Sequence, residues 1–285
     1  MKAETIKKFG RLGRRYPFLH GVLSAWSGRR ATREKGGVTF HRDEDILSAL
    51  LRTLGRVPLR TLDDYEQEVL ADKELRETFD AAVARFSIRK YKDWADRNKR
   101  LRANLALYYG AVRELQPEVI VETGTATGSM TSYLLAALAK NKKGKLISID
   151  LPPVAGTLTM DITVAEGDVG YYVPLAYRDR WEYLIGDAKE LLPKVMAQTR
   201  VEMFIHDSLH TPAHMMFEYA VARALMPENG LVVSDDISWN DVFGAFLASQ
   251  ALIGYVPFGN PNIGAFVNAF GPEERSIGLG IVRRT

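Results

Sequence analysis

Apolar residues between positions 43 and 115 recur at the three- and four-residue spacing of helices. The pattern is clearest at two places: Ile46, Leu47, Leu50 and Leu51, and then Leu101, Leu105, Tyr108, Tyr109 and Val112. Gly55 and Pro58 interrupt this region, and Pro117 ends it. We therefore predict a helical N-terminal region, and no residue pattern in it indicates catalysis.

After Pro117 the pattern changes, because short β-rich apolar runs now alternate with helical stretches. The predicted strands are Val119–Val121, Leu146–Ile149, Tyr183–Ile185, Met203–Ile205, Leu231–Val233 and Ile277–Val282. The predicted helices lie near 129–140, 188–197, 212–226 and 239–251. Such alternation is typical of a doubly wound α/β fold, with a mostly parallel sheet and helices on both faces. Ligands bind at the carboxyl ends of such strands, so the residues that end each strand are the candidates.

The first of these strands ends at Glu122 and continues as Thr-Gly-Thr-Ala-Thr-Gly, with a helix beginning near Ser129. Glycines allow a sharp turn and a close approach of the backbone to a ligand. The pattern Gly-x-Gly-x-x-Gly of dinucleotide sites fails here, since Ala126 and Ser129 occupy the second and third glycine positions. An acidic residue before the first glycine also suits a cationic ligand better than a phosphate.

The next two strands also end in acidic residues. Asp150 could accept hydrogen bonds from both hydroxyls of a ribose, although NAD enzymes use the same arrangement. Asp187 follows Gly186 directly before a helix, so it could equally be an ordinary helix N-cap. The sequence leaves both alternatives open.

Glu122, Asp150 and Asp187, at three consecutive strand ends with a glycine-rich turn after the first, resemble the cofactor site of class I S-adenosylmethionine-dependent methyltransferases. The resemblance covers residues 117–285, does not reach residues 1–100, and implies a Rossmann-like seven-stranded sheet with a helical N-terminal extension. It also implies a cofactor site in which the 122–128 loop holds the methionine end, Asp150 the ribose and Asp187 the adenine. The implied cofactor-binding residues are Glu122, Thr123, Gly124, Thr125, Gly128, Ser129, Asp150, Gly186, Asp187, Ala188 and Asp207.

Carboxylates also end the following two strands: Asp207 after one, and Asp235 with Asp236 after the other. Like charges raise each other's pKa, and a divalent cation such as Mg²⁺ resolves the conflict through carboxylate and water ligands. The set is similar to the metal site of catechol and caffeoyl-CoA O-methyltransferases. The Asp-Asp pair looks more like macrolide and sugar O-methyltransferases and cephalosporin-hydroxylase-like relatives. This resemblance implies that all three aspartates bind the metal.

His210 lies three residues after Asp207, where the catechol enzymes place a catalytic lysine. A neutral imidazole can accept a hydroxyl proton near pH 7, so we expect His210 to be catalytic. Thr211-Pro212 predicts the start of a helix. We expect His206 to point into the sheet or helix layer and His214 to have a structural role.

A long connection spans residues 151–180, and loops of this length are uncommon unless they are functional or disordered. Its tyrosines either line the substrate as part of a lid or anchor the loop to the body of the protein. The sequence does not decide between these alternatives.

Together these features favour an S-adenosylmethionine-dependent, Mg²⁺-dependent O-methyltransferase acting on a hydroxylated small molecule such as a sugar, polyketide or phenolic. Two alternatives stay open: a nucleic-acid methyltransferase that uses a basic arm, and a hydroxylase-like or scaffold protein with the same fold. The expected organisation is a basic arm (1–40), a helical region (41–116) and a cofactor-binding domain (117–285).

Charge is distributed unevenly along the 285 residues. Residues 1–35 carry ten Lys and Arg against two Glu, while the whole chain has a net charge of only +3. This arm could touch an anionic membrane surface or be a solvated tail, and nucleic acid is not the expected partner. The chain has no cysteine, no apolar run long enough to cross a bilayer and no signal-peptide pattern, so a cytoplasmic enzyme is the default. The helical extension could supply a homo-oligomer interface.

Overall fold

The computed structural model describes residues 37–151 and 168–269. The strands are β1 (Val38–His41), β2 (Val119–Thr123), β3 (Lys145–Asp150), β4 (Trp181–Ile185), β5 (Met203–His206), β6 (Leu231–Ser234), β7 (Gly254–Pro257) and β8 (Gly264–Val267). The α-helices are α1 (Asp43–Thr53), α2 (Leu62–Leu70), α3 (Lys73–Phe86), α4 (Trp94–Arg100), α5 (Arg102–Leu105), α6 (Ala111–Leu115), α7 (Ser129–Asn141), α8 (Ala188–Gln198), α9 (Pro212–Leu225) and α10 (Val242–Ser249). A π-helical turn (Ala106–Gly110) joins α5 to α6, and a 3₁₀ helix (Leu175–Arg180) precedes β4.

The strands form one sheet in the order β1-β7-β8-β6-β5-β2-β3-β4. Five of them, from β6 to β4, are parallel neighbours, and β8 runs antiparallel to both β6 and β7. This confirms the predicted α/β fold with a mostly parallel sheet.

The sheet has eight strands rather than seven because β1 adds a parallel edge strand beside β7. The strands β7 and β8 were not predicted, since both are short and contain glycine or proline. The strand predicted at 277–282 lies outside the described residues.

Two apolar cores lie on opposite faces of the sheet, because side chains alternate along each strand. Ile120 of β2 packs on the face that the N-terminal helices and α7 cover, whereas Val121 packs on the face covered by α8, α9 and α10. On β5 the same alternation separates Ile205 from Phe204. The helices on both faces of the sheet are those that the sequence predicted.

The N-terminal region is helical, as predicted, and capping side chains fix where its helices begin. Thr61 forms a capping box with Asp64 at the start of α2, and Asp72 and Asp93 accept backbone N–H bonds at the starts of α3 and α4. Such caps satisfy N–H groups that have no partner inside the helix. The proposed boundary between the arm and this region, at residues 40/41, falls within β1; the three-part division of the chain stays a prediction. Residues 1–36 lie outside the described residues.

No helix within residues 37–151 and 168–269 is long and apolar enough to cross a membrane.

Candidate active site

The sheet order places five strand ends side by side. Because β4, β3, β2, β5 and β6 are parallel, their carboxyl ends lie along one edge in that sequence. Asp150 is the last residue of β3 and Glu122 the last but one of β2, while Asp187, Asp207 and Asp235 follow β4, β5 and β6. The candidate residues that the sequence placed at strand ends therefore share one edge of the sheet.

The turn after β2 touches the turn after β5. Gly124 has a φ of +82°, and a Cβ at this position would lie 2.0 Å from the carbonyl oxygen of Asp207. Gly128 has a φ of +74° at the N-cap of α7, and its Cβ would lie 2.7 Å from the Cα of Gly170. Both positions need glycine for conformation and for space. The two loops are consequently held in direct contact at the centre of the edge.

Glu122 points into the protein rather than out of the loop. Its carboxyl group is 1% exposed and accepts hydrogen bonds from Thr131 Oγ1 (3.0 Å) and Ser148 Oγ (2.7 Å). Burial raises the pKa of Glu122 to about 7, although the hydroxyl bonds act in the opposite direction. A contact of this carboxyl with a cofactor stays a prediction. In the structure the carboxyl links β2 to α7 through Thr131 and to β3 through Ser148.

Asp150 fixes the same loop from the neighbouring strand. Its Oδ2 accepts hydrogen bonds from the backbone N–H groups of Thr125 (2.8 Å) and Ala126 (3.1 Å). Thr123, at the end of β2, donates instead to Glu218 Oε2 (2.7 Å) on α9. The carboxyl end of β3 thereby sets the conformation of the glycine-rich turn.

Asp187 is exposed and accepts a hydrogen bond from Lys189 N (2.8 Å), so it is the N-cap of α8. This observation favours the N-cap alternative for Asp187 without excluding a second contact with a ligand. Gly186 donates its N–H to the Asp150 carbonyl oxygen (2.8 Å), and Ala188 is buried at the start of the helix. An adenine contact at these three residues stays a prediction.

Asp207, Asp235 and Asp236 form the acidic centre of the edge, and the pKa of each is raised. Burial is the main cause for all three, and repulsion from Asp235 adds to the pKa of both Asp207 and Asp236, which reaches about 7 for Asp236. Asp236 has a left-handed backbone with a φ of +47°, and its Oδ2 has no hydrogen-bond partner among the described residues. The expected mutual repulsion is therefore present.

Among the described residues, no group of three or more His, Asp or Glu side chains is arranged so that it could hold a metal ion. The oxygen donors are of the kind that Mg²⁺ prefers, but their positions do not form a ready ligand set. Metal binding by the three aspartates stays a prediction.

The ring of His210 lies between two of these acids. Its Nε2 is 3.8 Å from Asp207 Oδ1, and its Nδ1 is 3.9 Å from Asp236 Oδ2. Burial, with a smaller contribution from the neighbouring His206, lowers the pKa of His210 to about 4. The exposed indole of Trp239 covers the ring at 5.4 Å between centroids. The imidazole is thus neutral at pH 7, and its Nε2 has no partner among the described residues.

Glu218 on α9 is a buried hub that the sequence did not reveal. It accepts hydrogen bonds from His206 Nδ1 (2.5 Å), His214 Nε2 (2.8 Å), Ser208 Oγ (2.9 Å) and Thr123 Oγ1 (2.7 Å). Burial alone would raise the pKa of Glu218, but the hydrogen bonds outweigh it and hold the pKa at about 2. His206 and His214 have the structural positions expected of them. The only signal in the sequence was the i, i+4 spacing of His214 and Glu218.

Tyr108 was also missed, because it looked like one more apolar position on a helix. It lies in the π-helical turn, is fully buried, and its hydroxyl has no partner among the described residues. Burial raises its pKa well above the usual value, and Asp235, Asp207 and Glu122 add to the shift. π-turns often occur at functional sites because they redirect a side chain. The N-terminal region therefore contributes a hydroxyl that faces the acidic edge.

The described part of the long connection anchors the chain. Tyr171 packs on Phe86 with ring centroids 4.3 Å apart, and Tyr177 donates to both oxygens of Asp72 at 2.8 and 2.7 Å. For these tyrosines the anchoring alternative is the observed one. Residues 152–167 lie outside the described residues, so a lid or substrate wall there stays a prediction.

Residues 121–237 match the sequence family described as "Methyltransferase domain". The described edge, from the end of β2 to the turn after β6, falls within this match. No protein with a curated functional description matches the chain.

Solved structures with a similar arrangement are distant in sequence. The O-methyltransferase TomG from Streptomyces achromogenes, in complex with SAM, is 17% identical over 70% of this chain and 91% of its own, with a TM-score of 0.46. A putative caffeoyl-CoA O-methyltransferase from Staphylococcus aureus is 14% identical over 72% and 96%, with a TM-score of 0.49. The MycE methyltransferase, in complex with Mg and SAH, is 15% identical over 58% and 38%, with a TM-score of 0.33.

Proposed function

We propose that this chain, whose residues 121–237 match a methyltransferase domain, is a class I S-adenosylmethionine-dependent methyltransferase that methylates a hydroxyl oxygen of a small molecule. His210 accepts the proton of that hydroxyl. The observation that carries the proposal is the position of the His210 ring between Asp207 and Asp236, at 3.8 and 3.9 Å. A base of this kind must be unprotonated before the reaction; the lowered pKa of His210 keeps the ring neutral at pH 7, and it also makes the ring a weaker base than an ordinary histidine.

S-adenosylmethionine, when bound, supplies a methyl group on a sulfonium centre. The residues present fit it: α7 has a glycine, Gly128, as its N-cap and so no side-chain cap, and the buried Thr125 Oγ1 has no partner among the described residues. We assign the methionine end to the 122–129 turn, the ribose to Asp150 and the adenine to residues 186–188. Catalysis in such a site rests largely on holding the acceptor oxygen in line and excluding water.

His210 is held in place by its surroundings. Asn240 Nδ2 donates to the His210 carbonyl oxygen (3.1 Å), which fixes the backbone of the loop after β5. Behind the loop, Ser208 donates to Glu218 at 2.9 Å. A base on a rigid support loses little of its reactivity to misorientation. These contacts fix the position of the loop that carries the proposed base.

The acceptor would meet an apolar rim beside the base. Leu209 and Trp239 flank His210 and are 58% and 52% exposed. Large exposed apolar side chains beside a candidate base favour a ligand with an apolar or aromatic framework. We propose a hydroxyl group on a phenolic, polyketide or deoxygenated sugar skeleton as the acceptor class.

Mg²⁺ is part of the proposal, with Asp207, Asp235 and Asp236 as the residues that would hold it. Its support is the repulsion among the three carboxylates, which a bound cation would relieve. Their arrangement does not form a ready ligand set, so we assign no reaction step to the ion.

The test is a methyl-transfer screen over hydroxylated small molecules with isotope-labelled S-adenosylmethionine. We expect His210→Gln to lower kcat by about 10²- to 10⁴-fold, the range for loss of a general base, while affinity for the cofactor is unchanged. His41→Gln is the matched control, because His41 lies on the edge strand β1. Equal activity of His210→Gln and the wild type would refute the assignment of the base.

A second arm of the screen tests the cation. Asp236→Asn is compared with Asp241→Asn, which changes an exposed aspartate in the same edge region with no capping hydrogen bond. If the ion is required, excess chelator abolishes turnover, added Mg²⁺ restores it, and only Asp236→Asn is inactive. Full activity in chelator would remove the metal from the proposal and leave the role of His210 intact.

A further inference from the structure

Arg97 on α4 is a buried cation without an acidic partner. Its side chain is 1% exposed, and within the described part of the chain it forms no salt bridge. It donates to the Tyr133 hydroxyl and, through Nη2, to Ser129 Oγ (2.8 Å) and the Ser129 carbonyl oxygen (3.2 Å). Its Nε has no partner among the described residues. A buried charge without a counter-ion is costly, so its presence needs an explanation.

Aromatic rings enclose the guanidinium and offset part of that cost. Five rings lie within 6.0 Å of the Arg97 Cζ, belonging to Tyr133 (4.7 Å), Trp94 (5.3 Å), Tyr172 (5.3 Å), Phe79 (5.7 Å) and Tyr91 (6.0 Å). Ring faces attract a cation but carry no net charge. The cage therefore tolerates the positive charge without neutralising it.

The guanidinium is placed at the start of the helix that follows the glycine-rich turn. Ser129 is the first residue of α7, whose N-cap is a glycine and whose first turn contains no acidic residue. The N-terminus of a helix carries a partial positive charge of about half an elementary charge. A full positive charge beside it makes this place favourable for an anion. The one carboxyl that contacts the first turn of α7 in the described protein, Glu122, bonds to Thr131 Oγ1 and not to Arg97.

We propose that Arg97 provides the positive charge that holds the α-carboxylate of the cofactor's amino-acid part at the N-terminus of α7. This inference rests on the proposed function, which places the methionine end of the cofactor at the same turn. Because the guanidinium is buried behind Ser129, it acts through Ser129 and through its field. Arg97 is accordingly a positioning residue contributed by the N-terminal region, to which the family resemblance did not extend.

Calorimetry with two nucleoside probes tests this on the full chain. S-adenosylhomocysteine carries the amino-acid group, whereas 5′-methylthioadenosine has the same nucleoside and thioether without it. For Arg97→Met we expect the Kd of S-adenosylhomocysteine to rise by about 10- to 100-fold, as for loss of a partly buried charge partner. The Kd of 5′-methylthioadenosine should stay within about twofold, and its binding shows that the variant is folded.

Further variants separate charge from packing. Arg97→Lys keeps the charge and should restore most of the preference for S-adenosylhomocysteine. Arg97→Gln, which keeps a donor toward Ser129 but no charge, should behave like Arg97→Met and replaces it if that variant does not fold. The control is Arg100→Met on the same helix, because the exposed Arg100 pairs with Asp96 and should affect neither probe.

The outcomes distinguish this inference from the proposed function. Wild-type protein that binds neither probe contradicts both. If the wild type binds both probes and the ratio of their Kd values is the same in Arg97→Met and Arg97→Gln, the role of Arg97 is overturned and the proposed function is not. Tighter binding of S-adenosylhomocysteine by a neutral variant also overturns it, since that result means the ligand's ammonium group faces Arg97.

Discussion

Replacing Glu218 by Gln should remove the hub that ties α9 to the loops after β2 and β5. The carboxylate is fully buried and accepts four hydrogen bonds, two of them from histidines. A glutamine has one acceptor oxygen and one donor group, so at least one buried donor would face another donor. Breaking a buried charged network by changing one partner costs about 3–5 kcal/mol, and we expect Glu218→Gln to lower the free energy of unfolding by about this amount.

The pKa of Glu218 gives a second estimate of its contribution. It falls from the ordinary 4.5 to about 2 in the folded protein, and this difference corresponds to about 3 kcal/mol. Because the folded pKa is depressed, the stabilisation is complete above pH 4.5. It is lost as the pH falls toward 2. The difference between wild type and Glu218→Gln should therefore shrink from about 3 kcal/mol at pH 5 to about 1.5 kcal/mol at pH 3.

Urea unfolding at pH 5 and pH 3 measures these differences. The matched control is Glu182→Gln, because Glu182 forms a half-exposed pair with Lys145 (2.9 Å) whose loss should cost under about 1 kcal/mol. Two results would refute the reasoning: a cost of Glu218→Gln below about 1 kcal/mol at pH 5, or a cost that is the same at both pH values.

Two further substitutions probe the turn and the π-helical tyrosine. Gly124→Ala should lower the free energy of unfolding in urea by about 3 kcal/mol or more, since its Cβ would lie 2.0 Å from the Asp207 carbonyl oxygen. The control Gly55→Ala, where φ is +69° but the space is open, should lower it by only about 1 kcal/mol. Similar costs for the two variants would contradict the close approach at Gly124. Tyr108→Phe should leave the melting temperature unchanged or raised while activity falls, because the hydroxyl has no protein partner. Tyr109→Phe should lower the melting temperature and leave activity unchanged, since the Tyr109 hydroxyl donates to Glu68 (2.6 Å). A Tyr108→Phe variant that is destabilised but fully active would refute the functional role of Tyr108.

The regular part of the fold could be predicted because it follows from local pattern. Buried strands of the parallel sheet are continuous apolar runs, and Thr211-Pro212 marked the start of α9 correctly. The short strands β1, β7 and β8 escaped prediction. A four-residue segment such as Gly254–Pro257 carries too little pattern to separate it from a loop.

The acidic residues at the carboxyl edge of the sheet could be predicted from the sequence, but the hydrogen bonds that connect this edge to the helices could not. Strand-end acids follow from the order of strands and turns, so Asp150, Asp207 and Asp235 were placed on the correct edge. By contrast, Thr123 and Glu218 meet across 95 residues of sequence, and Arg97 meets Ser129 across 32. Contacts of this kind depend on tertiary packing, to which spacing along the chain gives no access.

Calorimetric titration of the full chain with S-adenosylmethionine tests the central claim, that the acidic edge of the sheet is a cofactor site, most directly. The account predicts saturable one-to-one binding that weakens by at least about tenfold in Asp150→Ala, which loses both the predicted ribose contact and the bonds to Thr125 and Ala126. Asp241→Asn should bind like the wild type. Absence of binding, or binding that is indifferent to Asp150, would contradict it.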